Sequence, residues 1–172
     1  GAGLTFADES SNHLSALLKG ENEVPPRPNT TMAYHHIWLE YDGIAQELEV
    51  ENGKKITAAH LHCGDPGENG PPVVTLFHDD AGKDISGILN EDWVDDGDIA
   101  ASGKECKNTI GFEINNYNDL RRALEEGRMY SNIHSKEYPD GVARGQILSV
   151  DESKDDAYPK RRDGSWRSDS NS

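Results

Sequence analysis

The sequence predicts an all-β antiparallel domain, a sandwich or barrel, with one short helix. Three observations carry this. Short runs rich in β-branched and aromatic residues alternate apolar with polar side chains. Turn signals such as Asp42-Gly43, Asn52-Gly53 and Pro139-Asp140-Gly141 recur between those runs. Helical spacing of apolar residues is confined to a single stretch.

Taken in order, HLSALLKG (13–20) reads as a strand, and three prolines in ENEVPPRPN (21–29) forbid regular pairing after it. TTMAYHHIWLEY (30–41) reads as a strand closed by Asp42-Gly43. IAQELEVEN (44–52) alternates around Ile44, Leu48 and Val50, and Asn52-Gly53 predicts a second hairpin turn. KKITAAHLHC (54–63) is the next strand, followed by a Gly/Pro/Asn loop and then PVVTLFHD (72–79). Residues 80–108, rich in Asp and Gly, read as loops with at most a short strand, and NTIGFEI (108–114) as a strand. YNDLRRALEEG (117–127) is the helix: Asn116 or Asn118 caps it, Leu120 and Leu124 share a face, and Gly127 stops it. RMYSNIHS (128–135) and VARGQILSV (142–150) complete the strands. Residues 1–12 form an N-terminal arm, 13–150 the folded domain and 151–172 a polar C-terminal tail with too few apolar residues to bury a face.

The chain has 172 residues and a formal charge of −15, from 17 Lys plus Arg against 32 Asp plus Glu. Such a surface repels nucleic acid and anionic lipid, so neither is an expected partner. No apolar run approaches the roughly 20 residues that span a bilayer, so no transmembrane segment is expected. The opening GAGLTFADES, without Met, is what an exported protein shows once a leader has been removed; a trimmed product reads the same way. Cys63 and Cys106 are the two cysteines, and no CxxC is present. One disulfide in an oxidising compartment is the expectation, two unrelated buried thiols the alternative. Cys106 lies in the polar stretch SGKECKN, which favours the bridge.

Five pieces occur in order: LLKGENEVPP (17–26), AAHLHCGDPGENGPPVV (58–74), NDLRRALEEG (118–127), MYSNIHS (129–135) and PDGVARGQI (139–147). Together they resemble the CHRD domain, the module named for its presence in chordin, over about residues 13–150. Two positions depart from that pattern: Ser135 follows the late histidine and Ala143 precedes RGQ. The resemblance implies an immunoglobulin-like or superoxide-dismutase-like β-sandwich in an extracellular or cell-surface protein, with a poorly defined biochemical role.

His60 and His62 stand two apart in a strand, so their rings share one face, while Cys63 takes the opposite one. His134 lies in another strand, at its family position. If those strands are neighbours, three imidazoles converge, a donor set suited to copper or zinc. Copper is favoured because this arrangement resembles the copper centres of superoxide dismutases and other exported copper proteins. The alternative is that these histidines only order a loop. His35 and His36 face opposite sides of their strand, so one of them at most is available as a fourth ligand. His78 reads as a surface residue, and His13 is given no role. Arg144 reads as structural, pairing with a carboxylate across the sheet. The acidic runs at 79–80, 95–98 and 155–156 read as solvated loops, since none matches an EF-hand. No nucleophile–base pattern or phosphate loop stands out, so a catalytic function is not indicated.

Three functions follow as expectations. The first is an exported copper-binding module. The second is an extracellular structural or adhesive protein that assembles into homo-oligomers or filaments through a terminal arm such as Leu4-Thr5-Phe6-Ala7. The third, disfavoured by the negative charge, is an enzyme of superoxide dismutase type.

Overall fold

In the computed structural model, residues 12–150 are described. The order is β1 (His13–Lys19), β2 (Met32–Leu39), β3 (Ile44–Cys63), β4 (Pro72–Asn90), α1 (Lys107–Ile110), α2 (Tyr117–Glu125), β5 (Met129–Ser135), β6 (Ala143–Gln146) and β7 (Leu148–Ser149). Every strand pairing is antiparallel. The order β2-β1-β6-β5-β3 closes on itself because β3 also pairs with β2. The all-β class with a short helix therefore holds. The closure is that of a barrel-like sheet, where two sheets of a sandwich were expected.

β3 makes the closure possible. Its first half, Ile44–Glu51, pairs with β2, its second half, Ile56–Cys63, pairs with β5, and β4 runs alongside both. Asn52-Gly53 was expected to reverse the chain. Instead Asn52 and Lys55 absorb positive φ angles of 56° and 48° within one long strand, where the β3–β4 register shifts repeatedly. Left-handed residues and register shifts of this kind are the marks of β-bulges, which bend a strand without ending it. The partner of this bend is β4, which continues to Asn90; the loop expected beyond residue 79 is strand. Residues 108–114, expected as a strand, hold α1 and then Gly111 at φ 89°. The helix α2 is as expected: the Asn116 side chain accepts from the Asp119 amide, and Leu120, Ala123 and Leu124 are buried.

The core is aliphatic, with Leu14, Leu18, Ile37, Leu48, Ile56, Leu61 and Ile133 all fully buried inside the ring. Even-numbered β3 residues, Leu48, Val50 and Ile56, are buried in the first stretch. After a register shift between Ile56 and Ala58 against both neighbours, the odd-numbered Ala59, Leu61 and Cys63 are the fully buried ones. The bulge inverts the parity, and this turns His60 and His62 away from the core. Cys63 and Cys106 form the expected disulfide, Cα–Cα 5.9 Å, tying the end of β3 to the turn before α1. None of the described helices is long and apolar enough to cross a membrane. The expected arm at residues 1–12 and the tail at 151–172 lie outside the described residues, apart from Asn12.

Candidate functional site

β3 and β5 are neighbours, with Ala58 opposite His134, His60 opposite Asn132, and His62 opposite Tyr130. One face of this pair therefore carries His60, His62, Tyr130, Asn132 and His134, and the other face packs into the core. One ring nitrogen from each of His60, His62 and His134 lies within 4.8 Å of the other two. The His60 ring meets those of His62 and His134 edge-on at centroid distances of 5.5 and 5.2 Å.

Hydrogen bonds fix the tautomers of two of these rings. His62 Nδ1 donates to the Gly70 carbonyl and His134 Nδ1 to the Pro139 carbonyl, each at 2.8 Å. A carbonyl only accepts, so both rings carry their proton on Nδ1 and leave a lone pair on Nε2. His62 Nε2, His134 Nε2 and His60 Nδ1 are buried with no hydrogen-bond partner among the described residues. Desolvation holds His60 and His62 neutral down to about pH 4 and lowers His134 as well.

Two loops roof this face. The first follows β1 and contains Glu23-Val24-Pro25-Pro26; the second is Gly64–Pro71. Asn69 Nδ2 donates to the Val24 carbonyl and joins them. Gly70 lies so close to the Cys63 carbonyl that a Cβ would stand 1.6 Å from its oxygen, which explains a glycine there. Arg144 is 2 % exposed, stacks on Tyr130 with its guanidinium carbon 3.5 Å from the ring centroid, and donates to Asn69 Oδ1 and to the Asp65 and Glu68 carbonyls. It was expected to pair with a carboxylate; its hydrogen bonds go instead to the loop oxygens of Asn69, Asp65 and Glu68. Tyr130 in turn stacks on His62 at 4.8 Å.

Between the roof and the sheet is a cleft of about 380 Å³, lined by Glu23, Arg27, His62, Tyr130, Asn132 and His134 among others. Glu23 is 4 % exposed. Burial raises its carboxyl to about 7, against the opposing fields of Arg27 and Arg144 and the hydrogen bond from Asn132. Sequence reasoning marked the EVPP and YxNxH segments as motifs but gave Glu23, Tyr130 and Asn132 no role. Their positions four and two residues before His134, on the same strand face, were the available signal for the last two.

The remaining candidates go elsewhere. His35 faces the interior, where Nε2 donates to Gln46 Oε1 at 2.8 Å and Nδ1 meets Ser131 Oγ at 2.6 Å. His36 lies on the opposite face against His13 and Trp38. Neither His35 nor His36, of which one at most was available as a fourth ligand, joins the three-histidine group. His78 is exposed and pairs with Asp80 at 2.9 Å, as expected of a surface residue. Asp95 caps a short 3-10 turn, and Asp79 accepts from the Ala81 amide within β4, so these acidic residues have local structural partners.

No curated protein and no solved structure matches the chain. The family model described as CHRD domain matches residues 14–147, a span that includes the roof loops, the three histidines and Arg144. With most of its length matched, the chain belongs to the CHRD domain family.

Proposed function

We propose that this domain is an extracellular metal-binding module that holds one transition-metal ion, copper by preference and zinc second, through His60, His62 and His134. One observation carries the reading: three neutral imidazoles meet with buried, unpartnered nitrogens. Leaving such atoms unsatisfied costs about 1–3 kcal/mol each, so a ligand that takes all three lone pairs removes a standing penalty. Three nitrogens at about 2 Å from a common ion lie roughly 3–3.5 Å apart, which small side-chain rotations reach from a 4.8 Å spread. The carbonyl bonds to His62 and His134 Nδ1 are the outer partners that metal-bound histidines characteristically have. An all-imidazole set suits copper or zinc better than calcium or magnesium. The Cys63–Cys106 bridge and the family support an oxidising, extracellular or cell-surface setting. Isothermal titration with Cu²⁺ and Zn²⁺, read beside electron paramagnetic resonance for nitrogen coupling, tests the proposal. One equivalent of Cu²⁺ with three nitrogen couplings is expected; weak, multi-site binding without them overturns it.

A second reading, self-assembly through a terminal strand, draws on one feature of the sheet. Among the described residues β4 pairs with β3 and otherwise makes a single bridge, Val74 to Ile99, which leaves a long edge open. Asp79, Asp80, Lys83 and Asp84 lie along it and oppose casual pairing. Deleting residues 1–10 tests this reading: an unchanged assembly state by light scattering removes the arm as connector.

A further inference from the structure

We infer that the histidine site is built to hold a small protic oxygen ligand, water or another hydroxyl-bearing molecule, between the ion and Asn132, with Glu23 as the residue that positions Asn132. The inference rests on the metal-binding reading and adds to it the ligand that enters through the cleft.

Asn132 is 4 % exposed and lines the cleft. Its Nδ2 donates to Glu23 Oε2 at 2.6 Å, whereas its Oδ1 is buried with no partner among the described residues. A buried amide oxygen asks for a donor. Asn132 sits opposite His60 across the β3–β5 pair and two residues from His134 on the same face, so its amide is next to two of the three imidazoles; directly opposed Cβ atoms are about 4.5–5.5 Å apart. Glu23 is not in the three-histidine group; its carboxylate meets Asn132 at 2.6 Å and Arg27 at 3.8 Å, so it bears on the ligand through the amide. Three imidazoles leave at least one position of a tetrahedral or larger shell open. A ligand there must offer a lone pair to the ion and a hydrogen to Asn132 Oδ1. Hydroxyl-type oxygen does both; a bare anion such as azide does only the first. The cleft, at about 380 Å³, admits small molecules from solvent.

Glu23 has a clear structural part as well. Its carboxylate fills the space beside Gly141, where a Cβ would stand 2.5 Å from Oε2, and it lies 3.8 Å from Arg27. These contacts fix the carboxylate and, through it, the rotamer of Asn132.

The test uses the full chain loaded with one equivalent of Cu²⁺, and the loading step separates the two readings: failure to load refutes the metal site itself. In loaded protein exchanged into D₂O, pulsed electron paramagnetic resonance is expected to show strongly coupled exchangeable deuterons of a bound water; their absence overturns the inference. Azide is then titrated by its charge-transfer band. In the parent, azide must displace a ligand held by Asn132. Asn132→Leu and Glu23→Leu are each expected to bind azide about five- to tenfold more tightly, the value of one hydrogen bond. Glu23→Gln still accepts from Asn132 and is expected to match the parent. Equal or weaker azide binding in both leucine variants overturns the role of Asn132, and a leucine-like Glu23→Gln overturns the positioning role of Glu23. Should Asn132→Leu fail to fold, the deuteron signal of the parent and the Glu23 pair decide.

Discussion

Replacing Cys63 and Cys106 together by alanine tests how much the bridge contributes to this fold. The two residues are 43 apart in sequence. In the chain-entropy treatment, opening a loop of that size destabilises by about 4 kcal/mol. Both cysteines are fully buried, and the removed sulfurs leave a small void that adds to the loss. For a domain of about 140 ordered residues, the entropy of unfolding is near 0.3 kcal/mol/K, so Tm is expected to fall by about 14 °C. Calorimetry of parent and double variant measures it directly. A second readout separates fold from site. Cys63 faces the core, whereas His60 and His62 face away from it, and the roof loop keeps the Arg128–Asp65 ion pair at 2.8 Å and the Arg144 bonds. Cu²⁺ affinity at 20 °C should therefore change less than the stability does. A Tm shift below about 4 °C refutes the loop-entropy argument; loss of Cu²⁺ binding by a folded variant refutes the separation of the two faces.

Single replacements of His60, His62 or His134 by alanine are expected to weaken Cu²⁺ binding by more than about a hundredfold, since loss of mere outer partners already costs 10–100-fold; chelator competition measures it. His35, fully buried, titrates near 4 in the fold against an ordinary 6.5, so the unfolded chain binds the extra proton between those values. Stability is therefore full above pH 6.5 and falls toward pH 4, by roughly 3 kcal/mol from this residue, and urea midpoints of His35→Gln should fall less steeply across that window. Glu23 works in the opposite sense: its carboxyl, raised to about 7 from 4.5, lowers stability as pH rises from 4.5 through 7. Glu23→Gln should accordingly gain on the parent between pH 5 and pH 8 when their urea midpoints are compared. Arg144→Ala strips the donors from Asn69, Asp65 and Glu68 and is expected to cost about 3 kcal/mol, with earlier proteolysis within Gly64–Pro71.

Much of the molecule was legible from local patterns. Strand-forming runs and helical spacing placed β1, β2, β5 and the helix α2 within a residue or two, because each is bounded by recognisable turn or cap residues. The pairing of His60 with His62, the opposite orientation of Cys63 and the bridge to Cys106 follow from a period of two and a count of two cysteines. Other features depend on contacts distant in the chain. Asn52-Gly53 has the local chemistry of a hairpin turn, yet two neighbours, β2 and then β5, hold β3 as one bent strand, so the same positive φ becomes a bulge. The ring closes there, and the parity switch after Ile56 decides that the histidines face a cleft and not the core. Strand β4 beyond residue 79 has little alternation of its own and exists because β3 supplies its hydrogen-bond ladder. Glu23 and Asn132 are 109 residues apart, and no periodicity within either segment reports that they meet. The sequence alone determined the donor types and which of them share a strand face; the tertiary structure decided their company, because a buried carboxylate, an amide and three imidazoles become one site only when β3, β5 and the two roof loops are packed together.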